Sequence, residues 1–264
     1  MRFVRYFTEQ IKNDMMGILR KVKKDHVSAY AAQSSFFLML SMIPMILLLL
    51  NLVQYTPVNK ADILKAAYEV FPTSVRTTIV LIVDEVYVQS KALLPLTAFI
   101  AMWSAGRGTL AVSNGLNCVY EQAETRNYIY LRVRAAVFTV LLLFAVILCL
   151  LVLGLGRSIS PAAYIGLIVL FANMAYIFLP NHKKKWKSQL AGAFFTAFGW
   201  TLASFIFSIY MDVFQGFSDM YGSLTTIVLI MLWLYFCMYV LLLGGELNIY
   251  LEQRRTKDGF WKTY

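Results

Sequence analysis

The chain has 264 residues, of which 59% are apolar and only 14% are charged. A typical soluble domain has about 25% charged residues, so the composition excludes an ordinary water-soluble protein. The net charge of +10 would suit a nucleic-acid partner, but the basic residues lie between apolar blocks, where they fit lipid head groups better. We therefore expect membrane lipids as partners and no nucleic acid.

Six apolar blocks are long enough, at about 20 residues each, to cross a bilayer. The predicted fold class is all-α, a polytopic membrane protein with one membrane domain over residues 1–264. We predict membrane spans at Ala29–Val53, Leu93–Ser113, Ala135–Gly154, Pro161–Leu179, Gln189–Met211 and Ser223–Gly245.

The basic residues between these blocks are distributed unevenly. Of the 24 Lys and Arg residues, 18 lie in the N-terminal segment, the second and fourth loops and the C-terminal tail. Five lie in the loops on the opposite side, and Arg107 lies inside a span. Because basic loops stay in the cytoplasm, we predict that both termini are cytoplasmic and that the protein crosses the bacterial plasma (inner) membrane several times.

Two segments outside the spans are more than short turns. Residues 1–28 place apolar side chains among basic ones at helical spacing, which predicts an amphipathic pre-helix on the inner leaflet or a simple anchor for the bundle. Residues 54–92 form a long outer loop whose apolar pattern is broken by Pro72. This pattern predicts two short helices that cap the outer face, as a gate or as a static lid.

Arg107, in the segment WSAGRGTLAVSN, is the charged residue inside a predicted span. An arginine at the centre of a membrane helix costs at least about 2.5–3.5 kcal/mol, so it needs a partner or an aqueous cavity. Two interpretations stay open, a structural arginine that reaches the inner head groups and a substrate-binding residue. Glu246, in GGELN near the inner end of the last span, is the natural candidate for an ion-pair partner.

Other polar residues within or beside the spans could line a substrate path. The same groups could instead hydrogen-bond between helices, as small and polar residues commonly do in membranes. Together with Arg107, the predicted substrate-binding residues are Gln33, Ser34, Asn114, Asn117, Ser204 and Glu246.

The sequence shows no pattern that favours an enzyme. The two histidines, His26 and His182, lie beside basic runs, and no cluster of His, Cys or carboxylate residues has metal-ligand spacing. Neither a P-loop nor a GxSxG segment occurs in the sequence. We expect no catalytic residues, no cofactor and no metal.

Three segments carry a resemblance to a known family. They are LSMIP in the first span, WSAGRG followed by GLNCVYE, and the C-terminal YGSLTTIVLIMLWLYFCMYVLLLGGELN. They resemble the YihY family, also called the virulence factor BrkB family, over nearly the whole chain; Gly245 is a small departure, where Ala is expected more often. The resemblance implies a six-helix inner-membrane protein.

Members of that family were long labelled ribonuclease BN, and the residues here do not support the label. A metal-dependent ribonuclease of that kind needs a histidine-rich site with several carboxylates. Two histidines far apart in the sequence cannot build one.

The preferred hypothesis is a secondary transporter or lipid-handling permease in which Arg107 attracts an anionic or amphipathic substrate. The alternative is a non-transporting scaffold that binds anionic lipid or an envelope-assembly partner through its inner basic residues. A permease requires the polar residues inside the bundle, whereas a scaffold requires the inner lysines. Small-residue faces on the helices permit a homo-oligomer without requiring one.

Overall fold

The structure, a computed structural model, describes residues 16–53, 60–61, 64–65, 80, 83–84, 94–138, 140–141, 161–181, 184–213 and 223–261. Within these ranges the chain is helical apart from short turns and connections, and contains no strand. The helices are α1 (16–24), α2 (Val27–Val53), α3 (Leu94–Val119), α4 (128–138), α5 (Pro161–Phe178), α6 (Trp186–Val213) and α7 (Ser223–Trp261).

Five of the six predicted spans coincide with described helices, namely α2, α3, α5, α6 and α7. The third, Ala135–Gly154, begins within α4 and lies mostly outside the described residues. Residues 1–15 of the predicted pre-helix and most of the outer loop at 54–92 also lie outside the described residues. Two described residues of that loop, Lys60 and Asp84, form a 2.6 Å ion pair. Helices α3 and α7 continue beyond the predicted spans, because the polar residues that follow each span stay helical and pack against other helices.

The apolar surface of the helices indicates a lipid environment. The segments Trp186–Tyr210 and Ile227–Arg254 are long and apolar enough to cross a membrane, and Ala162–Phe178 is a shorter apolar helix. Only 22% and 28% of the apolar windows in the two long segments are buried inside the protein. The core helix of a soluble protein would be mostly buried, so these exposed apolar faces fit a membrane protein.

Two compact units make up the chain. The first contains Met1–Phe36, Leu110–Asn127 and Pro161–Tyr264, and the second contains Phe37–Thr109 and Tyr128–Ser160. The first unit therefore holds α1, α5, α6, α7, the N-terminal part of α2 and the C-terminal part of α3. Most of the buried polar residues discussed below belong to this unit.

Helix α6 packs against both α5 and α7, and it approaches α7 closely at two glycines. A Cβ atom on Gly192 would overlap the backbone carbonyl oxygen of Gly244. A Cβ atom on Gly244 would in turn lie 2.7 Å from the carbonyl oxygen of Gly192. The two backbones can approach this closely only because neither residue has a side chain.

Replacing Gly192 by Ala is expected to lower the free energy of unfolding by about 1–3 kcal/mol, because the added methyl group meets backbone that cannot move unless the helices separate. Thermal unfolding of the purified protein in detergent measures this loss. The matched control is Gly166→Ala on α5, where nothing lies within 4 Å of the added Cβ. Equal melting temperatures for the two variants would contradict the close helix crossing.

Candidate functional site

A buried ion cluster lies where α1 ends. Lys21 Nζ lies 2.5 Å from Asp25 Oδ2 and 3.0 Å from Glu246 Oε2. Lys21 and Asp25 are four residues apart, so the helical repeat brings them to the same side of the chain. Lys21 Nζ also donates a 2.9 Å hydrogen bond to the carbonyl oxygen of Val119, the last residue of α3. We call Lys21, Asp25 and Glu246 the Lys21 cluster; it joins α1, α3 and α7.

The Lys21 cluster contains two carboxylates and one ammonium group. Asp25 is 5% exposed and Glu246 is 2% exposed, while a third carboxylate, that of the exposed Glu121, lies 3.7 Å from Lys21 Nζ. Neither carboxylate oxygen of Glu246 makes a hydrogen bond of good geometry within the described part of the chain. Lys21 therefore stabilises the Glu246 carboxylate mainly through its positive charge.

The surroundings of Lys21 keep it protonated. Burial by itself lowers the pKa of this lysine, because it disfavours the charged form. The hydrogen bond to Asp25 and the negative charges of Asp25 and Glu246 outweigh that effect and raise the pKa of Lys21 above its ordinary value of 10.5. The lysine is thus a fixed positive charge at the end of α3, where the helix dipole also favours a cation.

The loop after α3 is fastened by Asn117 and Arg126. The Asn117 side-chain amide donates to Glu124 Oε2 at 2.7 Å, and its side-chain oxygen accepts from the backbone N–H of Asn181 at 2.6 Å. The Arg126 guanidinium donates to both carboxylate oxygens of Glu124, at 2.7 and 2.6 Å. These Arg126 hydrogen bonds are the main reason that the pKa of Glu124 falls to about 2. Through the hydrogen bond between Asn117 and Asn181, the loop is attached to the residues that follow α5.

A row of polar contacts runs inside the first unit, along the surface that α6 shares with α5 and α7. We call this row the polar seam. Its first and last members on α6 are 15 residues apart in the sequence, which corresponds to about 22 Å of helix, compared with about 30 Å for the hydrocarbon layer of a bilayer. The polar seam consists of Gln189, Thr196, Trp200 and Ser204 on α6, Trp233 and Asn248 on α7, Tyr176 on α5, and Tyr120 after α3.

Asn248 organises one end of the polar seam. Its side-chain oxygen accepts from the backbone N–H of Gly192 at 2.7 Å, and its amide donates to Gln189 Oε1 at 3.0 Å. The Tyr120 hydroxyl donates to the same Gln189 oxygen at 2.5 Å. Asn248 lies two residues beyond Glu246 on α7, so the Lys21 cluster and the polar seam begin at the same level of the bundle.

Farther along the polar seam, side chains bond to the backbone of α7. The Tyr176 hydroxyl donates to the carbonyl oxygen of Leu241 and lies 2.6 Å from Thr196 Oγ1. The Trp200 indole N–H donates to the carbonyl oxygen of Cys237 at 2.7 Å. Buried polar groups in a membrane helix bundle are stabilised by such contacts between helices.

Asn173 differs from the members of the polar seam because its side-chain amide has no hydrogen bond to the part of the chain that the structure describes. It lies three residues before Tyr176 on α5 and is 0% exposed. Neither its side-chain nitrogen nor its side-chain oxygen has a hydrogen-bond partner within the described residues. Buried amides are normally bonded to protein or to water, and an unmade bond costs about 1–3 kcal/mol. Asn173 thus has a donor and an acceptor that no described residue uses.

The chain matches the model of a known protein family. The family model described as "Virulence factor BrkB" matches residues 18–262. The chain belongs to the virulence factor BrkB family. The match confirms the resemblance drawn from the sequence, and the matched region contains the whole Lys21 cluster and the whole polar seam.

The relatives of this BrkB family member include proteins of different names. The ribonuclease-like protein YfkH of Bacillus subtilis is 28% identical over 248 residues, covering 85% of this chain and 90% of YfkH. UPF0761 membrane proteins of Pseudoalteromonas translucida and Glaesserella parasuis are 29% and 25% identical, over 47% and 54% of their own lengths. No solved structure matches the chain. The membrane-protein relatives and the apolar helices together identify a membrane protein.

The seven predicted site residues of this BrkB protein do not form one group. Arg107 belongs to the second unit, is exposed, and makes no ion pair with any described residue. Gln33 and Asn114 are also exposed. Ser34 is buried and donates to the carbonyl oxygen of Tyr30, one turn earlier in α2, at 2.7 Å.

The other three predicted residues lie in the first unit with separate partners. Asn117 holds the loop after α3, and Ser204 accepts a 3.4 Å hydrogen bond from the Trp233 indole. Glu246 has an ion-pair partner, as expected, but the cation beside it is Lys21. Whether any of the seven contacts a substrate stays a prediction.

Sequence reasoning missed Lys21 as the partner of Glu246. Lys21 lies in a basic run, RKVKK, of the kind that is usually exposed, and its four-residue spacing from Asp25 was the available signal. Asn173 was also missed, although it is a polar residue within the apolar stretch LFANMAYIF.

Proposed function

We propose that this BrkB family protein is a multi-pass permease of the bacterial plasma membrane that moves an anionic or amphipathic substrate. It has six spans and both termini in the cytoplasm. The observation that carries the proposal is Asn173 beside the polar seam, a fully buried amide that has no hydrogen-bond partner among the described residues. Such a group does not stabilise a static helix bundle. A path for substrate or water, in contrast, needs polar groups that can hydrogen-bond the molecule passing through.

The extent of the polar contacts supports the same proposal. Polar and ionisable groups inside a membrane bundle are costly and commonly mark ion and substrate pathways. The polar seam covers about 22 Å of α6, and the Lys21 cluster adds charged groups at one end of it. This end carries Glu246, a buried carboxylate held by a single lysine that it shares with Asp25.

The sign of the substrate charge follows from the basic residues. The chain carries a net charge of +10, and Arg107 is an exposed arginine without an ion pair among the described residues. Cations of this kind attract anionic groups in an otherwise apolar environment. We therefore expect anionic amphiphiles to be preferred over neutral ones.

A non-transporting scaffold is the second candidate, and one observation favours it. The polar groups of the seam largely bond to one another or to backbone, as they do in static helix packing. Neither candidate includes RNA cleavage, and we propose that the protein is not an enzyme. The name "ribonuclease-like" belongs to YfkH, and in the described ranges no group of three or more His, Cys, Asp or Glu side chains is placed to hold a metal ion.

Reconstitution into liposomes tests the proposal. The purified protein is incorporated into vesicles, and the uptake of a panel of amphipathic anions, matched neutral amphiphiles and labelled phospholipids is compared with protein-free vesicles. We expect faster movement of one or more anionic compounds and slower movement with Arg107→Ala. Rates equal to those of protein-free vesicles for the whole panel would contradict transport and favour the scaffold.

A further inference from the structure

Arg132 of α4 makes an unusual set of contacts within the second unit. Its guanidinium carbon lies 4.4 Å from the ring centre of Trp103 and 5.6 Å from the ring centre of Tyr128. Its Nε donates to the Tyr128 hydroxyl at 3.0 Å, and one terminal nitrogen donates to the carbonyl oxygen of Trp103 at 3.4 Å. The cation is thus held against α3 by aromatic rings and neutral oxygens.

Gly106 makes room for this arginine. A Cβ atom on Gly106 would lie 3.2 Å from Arg132 Nη1, so a side chain here would press on the guanidinium. Gly106 is buried, whereas Trp103 is 48% exposed. The first glycine of WSAGRG therefore lets a charged side chain from α4 reach the surface of α3.

Arg107 places a second positive charge next to Trp103 on the surface of α3. Trp103 and Arg107 are four residues apart and are therefore neighbours on the helix surface, while Gly106 lies on the other side of Trp103. The two arginines thus flank Trp103. Neither makes an ion pair with a carboxylate in the part of the chain that the structure describes, so two positive charges lack a protein counter-ion there.

The surface around these arginines is apolar. Large apolar side chains on both helices are exposed, including Phe99 at 59%, Ile129 at 69% and Val133 at 58%. Exposed Tyr128 and Tyr130 add the aromatic residues that are enriched at the level of lipid head groups. A ligand of this surface must combine a negative group with an apolar body.

We propose that Arg107 and Arg132, on either side of Trp103, bind the phosphate of an anionic phospholipid. Guanidinium groups bind phosphate oxygens through paired, charge-assisted hydrogen bonds, and the exposed apolar side chains contact the acyl chains. A soluble phosphate would leave that apolar surface uncovered, which favours the lipid as the source of the phosphate. The site requires membrane placement but does not depend on transport.

Lipid binding by the full-length protein in detergent tests the site. Native mass spectrometry counts bound phosphatidylglycerol and phosphatidylcholine for the wild type, Arg107→Ala and Arg132→Ala. Because each change removes charge-assisted hydrogen bonds, we expect about a tenfold loss of phosphatidylglycerol affinity for each variant. Phosphatidylcholine binding should not change, and glycerol phosphate should not displace the bound lipid.

Arg134→Ala is the matched control, because it removes the same charge from α4 two residues farther on, and successive side chains there point in different directions. It should keep the wild-type affinity for phosphatidylglycerol. If Arg132→Ala does not fold, Arg132→Lys keeps the charge, loses the planar fork and should still weaken binding. Equal losses in the Arg134 control, equal binding of both lipids, or displacement by glycerol phosphate would each overturn the proposal.

Discussion

Replacing Lys21 by Met is expected to lower the free energy of unfolding by about 3–5 kcal/mol, the usual cost of removing one partner from a buried ion pair. The change leaves Glu246 and Asp25 buried without their cation, and it leaves the carbonyl oxygen of Val119 at the end of α3 without its donor. Chemical or thermal unfolding of the purified protein in detergent measures the loss. Burial of the two carboxylates makes this one of the largest effects expected from a single substitution.

Two further variants make the Lys21 prediction specific. Lys23→Met removes an exposed lysine from the same helix and should leave the melting temperature close to that of the wild type. Combining Lys21→Met with Glu246→Leu should recover part of the loss, because an apolar side chain no longer needs a cation. If Lys21→Met melts at the same temperature as Lys23→Met, the Lys21 cluster does not hold α1, α3 and α7 together.

The sequence predicted the helices because the length of an apolar block is a property of the chain itself. Five predicted spans correspond to described helices, and family resemblance from three segments was confirmed by the family match. The continuation of α7 through Glu246 and Asn248 was less predictable. Polar residues at the end of a span can equally begin a loop, and only the packing of α7 against other helices shows that these two are buried.

The partners of the polar residues could not be predicted, because they depend on how helices far apart in sequence pack together. Arg107 was expected to need a partner or an aqueous cavity, or to reach the inner head groups. Its side chain is exposed, and the nearby cation–aromatic contacts belong to Arg132. Gly106, the first glycine of WSAGRG, leaves room for the guanidinium of Arg132. In both cases the sequence indicated an unusual position without indicating the neighbour.

Replacing Asn173 by Leu separates stability from transport. Removing a buried polar group that has no partner is expected to be neutral or stabilising, since the free energy lost in burying the amide is regained. If the amide bonds the substrate or its water during passage, the same change should slow transport by about tenfold, the loss expected when one such hydrogen bond is removed. The melting temperature and the initial uptake rate measure the two effects.

The most direct test of the permease proposal measures both quantities on one preparation of Asn173→Leu, with a compound that the wild type moves. We predict a melting temperature equal to or above that of the wild type, together with uptake reduced by about tenfold. Tyr176→Phe, one turn away, is the comparison for loss of a packing hydrogen bond. Wild-type uptake by a stable Asn173→Leu protein would contradict a substrate path along the polar seam.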